Sequence, residues 1–371
     1  MDRGVKKRLA VLGSTGSIGR QTLDVVRAFP DRLEVTALAA GSNRALLEEQ
    51  SREFKPRFVS VAGAPGYIPL HEIAAHPDVD LVVIATAGKA GLLPTLAAIR
   101  AGKAVALANK EVLVMAGEII MSEARKFKVE IRPIDSEHSA LWQCLQGEST
   151  STISRIILTA SGGAFRDRPI EALSQVTAEE ALRHPTWNMG KKVTIDSANL
   201  MNKGFEVIEA HWLFGVPFDK IKVVLHPASI VHSMVELADG STKAQLGVPD
   251  MRLPIQYALS YPERWGNPSL PKLDFARPQS LTFAPIDMAR YPCLMLAFEA
   301  GRSGGTYPAA LSAADEIAVA FFLEGRIGFL DIPRLLEHVL EEHRSIARPS
   351  LDDILEADTR ARESAQRWCL R

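Results

Sequence analysis

Apolar positions along this chain fall into two patterns that alternate. Lys7–Leu12, Leu33–Ala40, Phe58–Val61, Asp80–Ala85, Ala104–Leu107 and Val129–Ile134 are short, nearly continuous apolar runs, each followed closely by small or polar residues. Between them lie helical stretches, such as the one with Leu23 and Val26, Pro94–Ala101 and Val112–Phe127. Short runs apolar on both faces are how strands of a buried parallel sheet read, so the alternation predicts consecutive βαβ units. Further on, Ile153–Ala160, Val223–Leu225 and Ile230–Leu237 predict extended structure, and Ala140–Leu145 an apolar helix. Lys191–Ile195 reads as a short strand, Asp196-Ser197 as a polar turn, and Phe205–Phe214 as a helix closed by Gly215 and Pro217.

Tyr261–Pro285 holds Pro262, Pro268, Pro271, Pro278 and Pro285, a composition that sustains neither helix nor sheet. Beyond it, Leu311–Leu323, Ile332–Glu342 and Leu351–Trp368 predict a small helical bundle. The expected class is α/β in three parts: a Rossmann-like parallel-sheet domain over 1–134, an α+β catalytic domain over 135–260 and, after a linker over 261–286, a helical domain over 287–371.

With 371 residues, 47% of them hydrophobic, burial is not limiting and more than one domain is expected. A formal charge of -1 leaves no global pull toward nucleic acid or anionic lipid, so any anion site must be local. Cys144, Cys293 and Cys369 are far apart and odd in number, which argues against a disulfide framework and for a reducing compartment. The first strand starts close to Met1 and no apolar run is long enough to span a membrane, so the expected location is the cytoplasm.

Four stretches carry chemistry. Gly13-Ser-Thr-Gly16-Ser-Ile-Gly19 stands between a strand and a helix, where glycines let the backbone approach a pyrophosphate. Its spacing departs from the usual dinucleotide pattern, and a ligand-free glycine turn is the plain alternative. The second strand ends at Gly41-Ser42-Asn43-Arg44 with no acid for a ribose hydroxyl; an Arg with Ser and Asn suits the 2′-phosphate of NADP. Asp135 and Glu137, directly after the sixth strand, offer hard oxygens to Mg²⁺ or Mn²⁺, or else serve as a helix cap and a first-turn acid. In His184–Trp212, Ser197, Asn202 and Lys203 gather donors just before a helix, as an anion or phosphate requires, while Glu206 and Glu209 occupy a face away from Phe205, Ile208 and Trp212. A cap at Ser197, a solvated Lys203 and a first-turn Glu206 are the plain alternative there. The polar segment that opens at Ser161 and reaches His184-Pro185, rooted in glycines and with Trp187 near its end, reads as a lid or as a surface loop. His226 and His232 read as structural.

Taken in order, GSTGSIG, LANKE, DSEHSA, ASGGAF, HPTWNMG, DSANLMNKGFEVIEA and GVPDMRLPI resemble the 1-deoxy-D-xylulose 5-phosphate reductoisomerase family over nearly the whole chain. The resemblance implies conversion of that sugar phosphate to 2-C-methyl-D-erythritol 4-phosphate, in the non-mevalonate isoprenoid pathway, by rearrangement of the carbon skeleton and then reduction. It also implies NADPH, a divalent metal (Mg²⁺, Mn²⁺ or Co²⁺) and a homodimer. By motif, the metal carboxylates fall on Asp135, Glu137 and Glu206, and substrate contacts on Lys110, Ser136, Glu137, Ser161, His184, Trp187, Ser197, Asn202, Lys203 and Glu206. Lys110, Glu137, His184 and Lys203 take the catalytic roles. NADPH contacts fall on Thr15, Gly16, Ser17, Ile18, Gly41, Ser42, Asn43, Asn109, Glu111 and Gly190. Many members carry Lys where this chain has Ser42, which shifts the 2′-phosphate contact to Arg44, and the segment between Pro56 and Asp80 is shorter than in many relatives. Two rivals make other forecasts: an NADP-dependent dehydrogenase without isomerisation would act without metal, and a non-catalytic dinucleotide sensor has no use for the three carboxylates.

Overall fold

The computed structural model describes residues 6–187, 189–276 and 280–370, so Asn188 of HPTWNMG and Pro278 of the proline-rich segment lie outside the described residues. Two compact units form, one of Met1–Val112, Glu118–Trp142 and Asp250–Lys272, the other of Leu113–Gly117, Gln143–Pro249 and Leu273–Arg371.

The first unit contains the predicted alternation. Strands β1 (Lys7–Leu12), β2 (Leu33–Ala40), β3 (Phe58–Val61), β4 (Leu81–Ile84), β5 (Ala104–Leu107) and β6 (Ile131–Pro133) alternate with α1 (Ser17–Ala28), α2 (Arg44–Phe54), α3 (Leu70–Ala75), α4 (Leu92–Arg100) and α5 (Glu111–Phe127), and α6 (Ser136–Cys144) follows β6. The strands pair in parallel in the order β3-β2-β1-β4-β5-β6. Leu9, Val11, Leu38, Leu81 and Val83 of the sheet share one buried cluster with Leu23 and Val26 of α1, which is why the strands read as unbroken apolar runs. The shortened stretch before Asp80 keeps both its elements, a four-residue edge strand and a six-residue helix. Strand order reverses between β1 and β4, and the crevice beyond the C-terminal ends at such a reversal is where open α/β sheets bind ligands.

The second unit is built on a mixed sheet. After β7 (Ile153–Ala160) come α7 (Ala178–Ala181), α8 (Lys191–Asn199), α9 (Met201–Phe214), β8 (Ile221–Leu225), β9 (Val231–Leu237) and β10 (Thr242–Leu246). The chain then contributes α10 (Arg252–Ser260) to the first unit, where Lys7 Nζ donates to Leu259 O (2.5 Å) and Arg132 to Ala258 O (3.1 Å). Back in the second unit, β11 (Ala284–Pro285) completes the sheet order β10-β9-β7-β8-β11, and α11 (Pro292–Ser303), α12 (Tyr307–Leu323), α13 (Asp331–Glu342) and α14 (Leu351–Trp368) follow. The described residues between α10 and β11 form no helix or strand, as their prolines predict, but Ala284 and Pro285, inside the stretch expected to hold no sheet, pair with β8 as a two-residue edge strand.

Two expectations need correction. Lys191–Ile195 is not a strand but the start of α8, and Asp196-Ser197 is helical rather than a turn. The β-branched run Val193-Thr194-Ile195 favours strand locally, yet Thr194 through Asn199 are all buried in the fold, and tertiary burial outweighs propensity. α9 begins at Met201, ahead of the expected Phe205, because the break between the helices is Leu200 in the left-handed region (φ 61°), a position glycine or asparagine would usually mark. The apolar helix α11, with Pro292 in its first turn, was not anticipated.

Candidate active site

In the first unit the chemistry-bearing residues lie just past strand ends. After β1, Gly13 has φ 94°, and a Cβ there would stand 2.2 Å from Ala85 O, the residue following β4; only glycine allows the two strand ends to meet so closely. Thr15, Gly16, Ser17 and Ile18 follow in that turn and the start of α1, whose N-cap Gly16 supplies no side-chain hydrogen bond to the helix N-terminus. After β2, Ser42, Asn43 and Arg44 are exposed. Asn43 accepts from Leu46 N (3.1 Å) and so caps α2, which leaves Ser42 and Arg44 as the polar side chains at that helix start. After β5, Asn109 is buried and donates to Gly88 O (2.8 Å) and Thr86 Oγ1 (3.2 Å), tying the β4 and β5 loops together. Glu111 is buried in the first turn of α5.

The acids after β6 form a tight network. Asp135 Oδ2 accepts from Lys110 Nζ (2.8 Å), and Asp135 Oδ1 accepts from Glu137 N (3.2 Å) and lies 3.1 Å from His138 Nδ1. Ser136 Oγ donates to Glu137 Oε2 (2.6 Å). Burial works against the Asp135 charge, but the Lys110 ammonium and the His138 ring overrule it and hold the carboxyl well below its usual range. Asp135 therefore hydrogen-bonds the start of α6, as the cap reading expects, while its carboxyl stays charged.

In the second unit the residues come together around the Leu200 break. Leu200 is buried in a cluster with Ala160 at the end of β7 and with Tyr291 and Leu294 of α11, which fixes the helix break beside the strand end. The turn after β7 is pressed against α8: Gly163 has φ 70°, and a Cβ there would lie 2.4 Å from Ser197 O. Ser161 Oγ lies 3.0 Å from His184 Nε2 and accepts from Gly163 N (3.3 Å). His184 Nδ1 accepts from the Thr186 and Trp187 N–H groups (3.1 and 2.9 Å), so its ring proton belongs on Nε2, directed at Ser161. Burial and the nearby Arg166 charge push His184 down to about 4, so the ring is neutral at physiological pH. With two donors already on its oxygen, Ser161 is left to donate its hydroxyl proton to a ligand.

Asn202 and Lys203 occupy the first turn of α9 and Glu206 the next. Lys203 and Glu206 are buried and paired, and Asn202 Nδ2 donates to Glu206 Oε1 (2.5 Å). Ser197 is also buried, in α8, so the donors are gathered by a helix–helix junction and not by a polar turn. The expected lid divides. Phe165 is buried edge-on to Phe329 (5.1 Å), Arg290 donates to Phe165 O and to Arg168 O (2.6 Å), and Leu173 and Ala181 are buried. Arg183, Pro185, Thr186 and Gly190 are exposed, and the half-buried Trp187 ring lies 5.9 Å from that of His232. His226 is structural, accepting from Ile230 N and Val231 N and stacked on Phe283.

Comparison with known proteins bears on the same residues. Models of the 1-deoxy-D-xylulose 5-phosphate reductoisomerase family match residues 9–72 and 64–117, its C-terminal domain matches 131–214, and the DXP reductoisomerase C-terminal domain matches 246–364. A 1-deoxy-D-xylulose 5-phosphate reductoisomerase from Synechococcus sp. (strain JA-2-3B'a(2-13)) is 56% identical over 96% of this chain and 96% of its own. The chain belongs to the 1-deoxy-D-xylulose 5-phosphate reductoisomerase family. Within the family, the Pelotomaculum thermopropionicum protein is 54% identical over 96% of this chain and 97% of its own. The fold agrees with solved members. The Zymomonas mobilis enzyme in complex with NADPH superposes with a TM-score of 0.90 at 40% identity, covering 98% of this chain and 99% of that one. A DOX-P reductoisomerase in complex with NADPH, fosmidomycin and magnesium gives 0.92 at 40% identity, covering 98% of each.

Proposed function

We propose that this chain performs its family's reaction with the residues described above. It is an NADP-dependent oxidoreductase that converts 1-deoxy-D-xylulose 5-phosphate to 2-C-methyl-D-erythritol 4-phosphate. The observation that carries the reading is the end-to-end likeness to a reductoisomerase solved with NADPH, fosmidomycin and magnesium. The donor chemistry supports it. Asp135 is ionised, and hard carboxylate oxygens of Asp135, Glu137 and Glu206 suit Mg²⁺ or Mn²⁺. When bound, that metal supplies Lewis-acid stabilisation of the substrate's carbonyl and neighbouring hydroxyl oxygens while the skeleton rearranges.

The remaining tasks fall to side chains. Ser161, Ser197, Asn202 and Lys203 hold the phosphate, with His184 keeping the Ser161 hydroxyl turned outward. Fixing one end of a small flexible molecule in this way converts a loose encounter into an oriented one. Lys110 and Ser136, each hydrogen-bonded to a carboxylate, present donors to the substrate's oxygens. Trp187 and the exposed residues around it close over the substrate and exclude water, which shields the intermediate. Thr15, Gly16, Ser17, Ile18, Gly41, Asn109, Glu111 and Gly190 hold NADPH, with Ser42, Asn43 and Arg44 toward its 2′-phosphate. Functionally, 1–134 serves the cofactor, 135–260 the catalysis, 261–286 links and 287–371 supports. The enzyme acts as a cytoplasmic homodimer; no helix among the described residues is long and apolar enough to cross a membrane.

The deciding experiment follows NADPH absorbance with deoxyxylulose phosphate, with and without Mg²⁺ or Mn²⁺. Metal-dependent loss of absorbance is expected. Oxidation at the same rate without metal would favour a plain dehydrogenase, and none under any condition would remove the reading.

A further inference from the structure

Beneath the phosphate cradle lies a charged cluster that the reaction does not use directly. Lys192 Nζ of α8 bridges two buried carboxylates, Asp196 Oδ2 of its own helix (2.6 Å) and Asp315 Oδ2 of α12 (2.7 Å), and rests 4.6 Å from the Phe205 ring centroid of α9. Asp196 and Asp315 are both buried. A single ammonium thus joins the helix carrying Ser197, the helix carrying Asn202 and Lys203, and the C-terminal bundle. Buried charges are costly to desolvate, and isolated hydrophobic packing would hold a bundle at least as well, so geometric specificity is the better account of such a cluster. The structural reason is at hand: α8 and α9 meet at a left-handed leucine with no glycine, tied locally only where Asn199 Oδ1 accepts from Met201 N (2.8 Å), and Lys192 adds a second tie from outside the junction.

We infer that Asp315, acting through Lys192, is a positioning residue for phosphate binding: the bundle holds α8 and α9 in the relation that points Ser197, Asn202 and Lys203 at one anion. This rests on the cradle assignment made above. Asp196 is part of the same device, which explains a polar residue of the DSANLMNKG motif that touches no proposed ligand. Gly190, assigned to NADPH, precedes α8 and takes no part in the Lys192–Asp196–Asp315 contacts, so the cluster should separate substrate binding from cofactor binding.

The test uses full-length Asp315→Asn, with Asp358→Asn as control, since Asp358 is an equally buried carboxylate of the same bundle whose Arg362 partner (3.0 Å) pairs with Glu316 of α12 and not with a residue of α8. Asp315→Asn should raise the KM for deoxyxylulose phosphate and the Kd of fosmidomycin by about tenfold, with kcat changed less than about threefold, as expected for lost binding and not lost chemistry. The KM for NADPH should not move, and Asp358→Asn should lower Tm without changing either KM. Equal effects of the two variants, or a normal substrate KM in Asp315→Asn, overturn the inference. Should Asp315→Asn fail to fold, Lys192→Gln, at a quarter-exposed side chain, gives the same readings. Ser197→Ala separates the two levels: if it leaves the substrate KM unchanged the cradle assignment itself fails, whereas a raised KM there with a normal one in Asp315→Asn defeats only the positioning role.

Discussion

Every proposed ligand contact of the first unit stands just past a strand of a regular parallel sheet, whereas those of the second sit on a strand end, a loop and two helices that meet at a break. In the first, a repeated βαβ plan delivers loops to one edge and the chemistry varies only in the loops. In the second, convergence depends on exceptions: a buried leucine at positive φ, a glycine pressed on a helix backbone, a lysine bridging three helices. A periodic scaffold tolerates change in its loops; a site assembled from exceptions should fail when any one of them is regularised.

The glycines give the sharpest contrast. Gly163→Ala adds a Cβ that meets Ser197 O at a strained φ, and a displacement of about 1 Å at a positioned group is worth on the order of 100-fold, so substrate KM should rise by about that factor with NADPH KM unchanged. Gly13→Ala meets Ala85 O and should do the reverse. If both variants weaken both ligands alike, the division of tasks is wrong. Lys203→Ala comes next: loss of a charge-assisted contact of roughly 1.5 to 3 kcal/mol should raise the substrate KM about ten- to hundredfold. A solvated lysine would leave kinetics alone. Arg44→Ala, at an exposed position, should raise the KM for NADPH by about fivefold and leave that for NADH, since exposed charge contacts are worth about 1 kcal/mol; equal sensitivity of both cofactors would release Arg44 from the 2′-phosphate.

The smallest effect concerns pH. His184 titrates at about 4 when folded against an ordinary 6.5, so the unfolded chain binds the extra proton first, and stability should fall as pH drops from 6.5 toward 4 and be indifferent to this residue above 6.5. His184→Gln should remove part of the loss of Tm between about pH 7 and pH 4.5, a window set by that shift. An unaltered pH dependence of Tm in the variant would assign the ring a different protonation.

What the sequence revealed follows the same division. Continuous apolar runs and glycine turns locate the first unit's strands to within a few residues, because burial on both faces leaves one reading. Asp135 and Glu137 were visible because they follow a strand directly. In the second unit Val193-Thr194-Ile195 pointed to a strand, and only the burial of the whole stretch from Thr194 to Asn199 among its neighbours accompanies its folding as α8. Glu206 was placed on a helix, but Ser197, Asn202 and Lys203 were placed ahead of it, whereas Ser197 lies in α8 and the other two in the first turn of α9, since Leu200 gives no sign of a helix break. Lys192 and Asp315 were invisible as partners: they are far apart in the chain, and neither lies in a recognisable chemical pattern.

The most direct test of the account is NADPH oxidation with deoxyxylulose phosphate across a Mg²⁺ titration, in the unaltered enzyme, Glu206→Gln and Lys203→Ala. Glu206→Gln keeps size and loses charge, so kcat should fall by about 100-fold and half-saturation move to higher Mg²⁺, the protein remaining folded. Lys203→Ala should keep the unaltered enzyme's metal half-saturation and show its defect in the substrate KM. An unchanged metal dependence in Glu206→Gln would remove that residue from the site and contradict the assignment of metal and phosphate to neighbouring turns of α9.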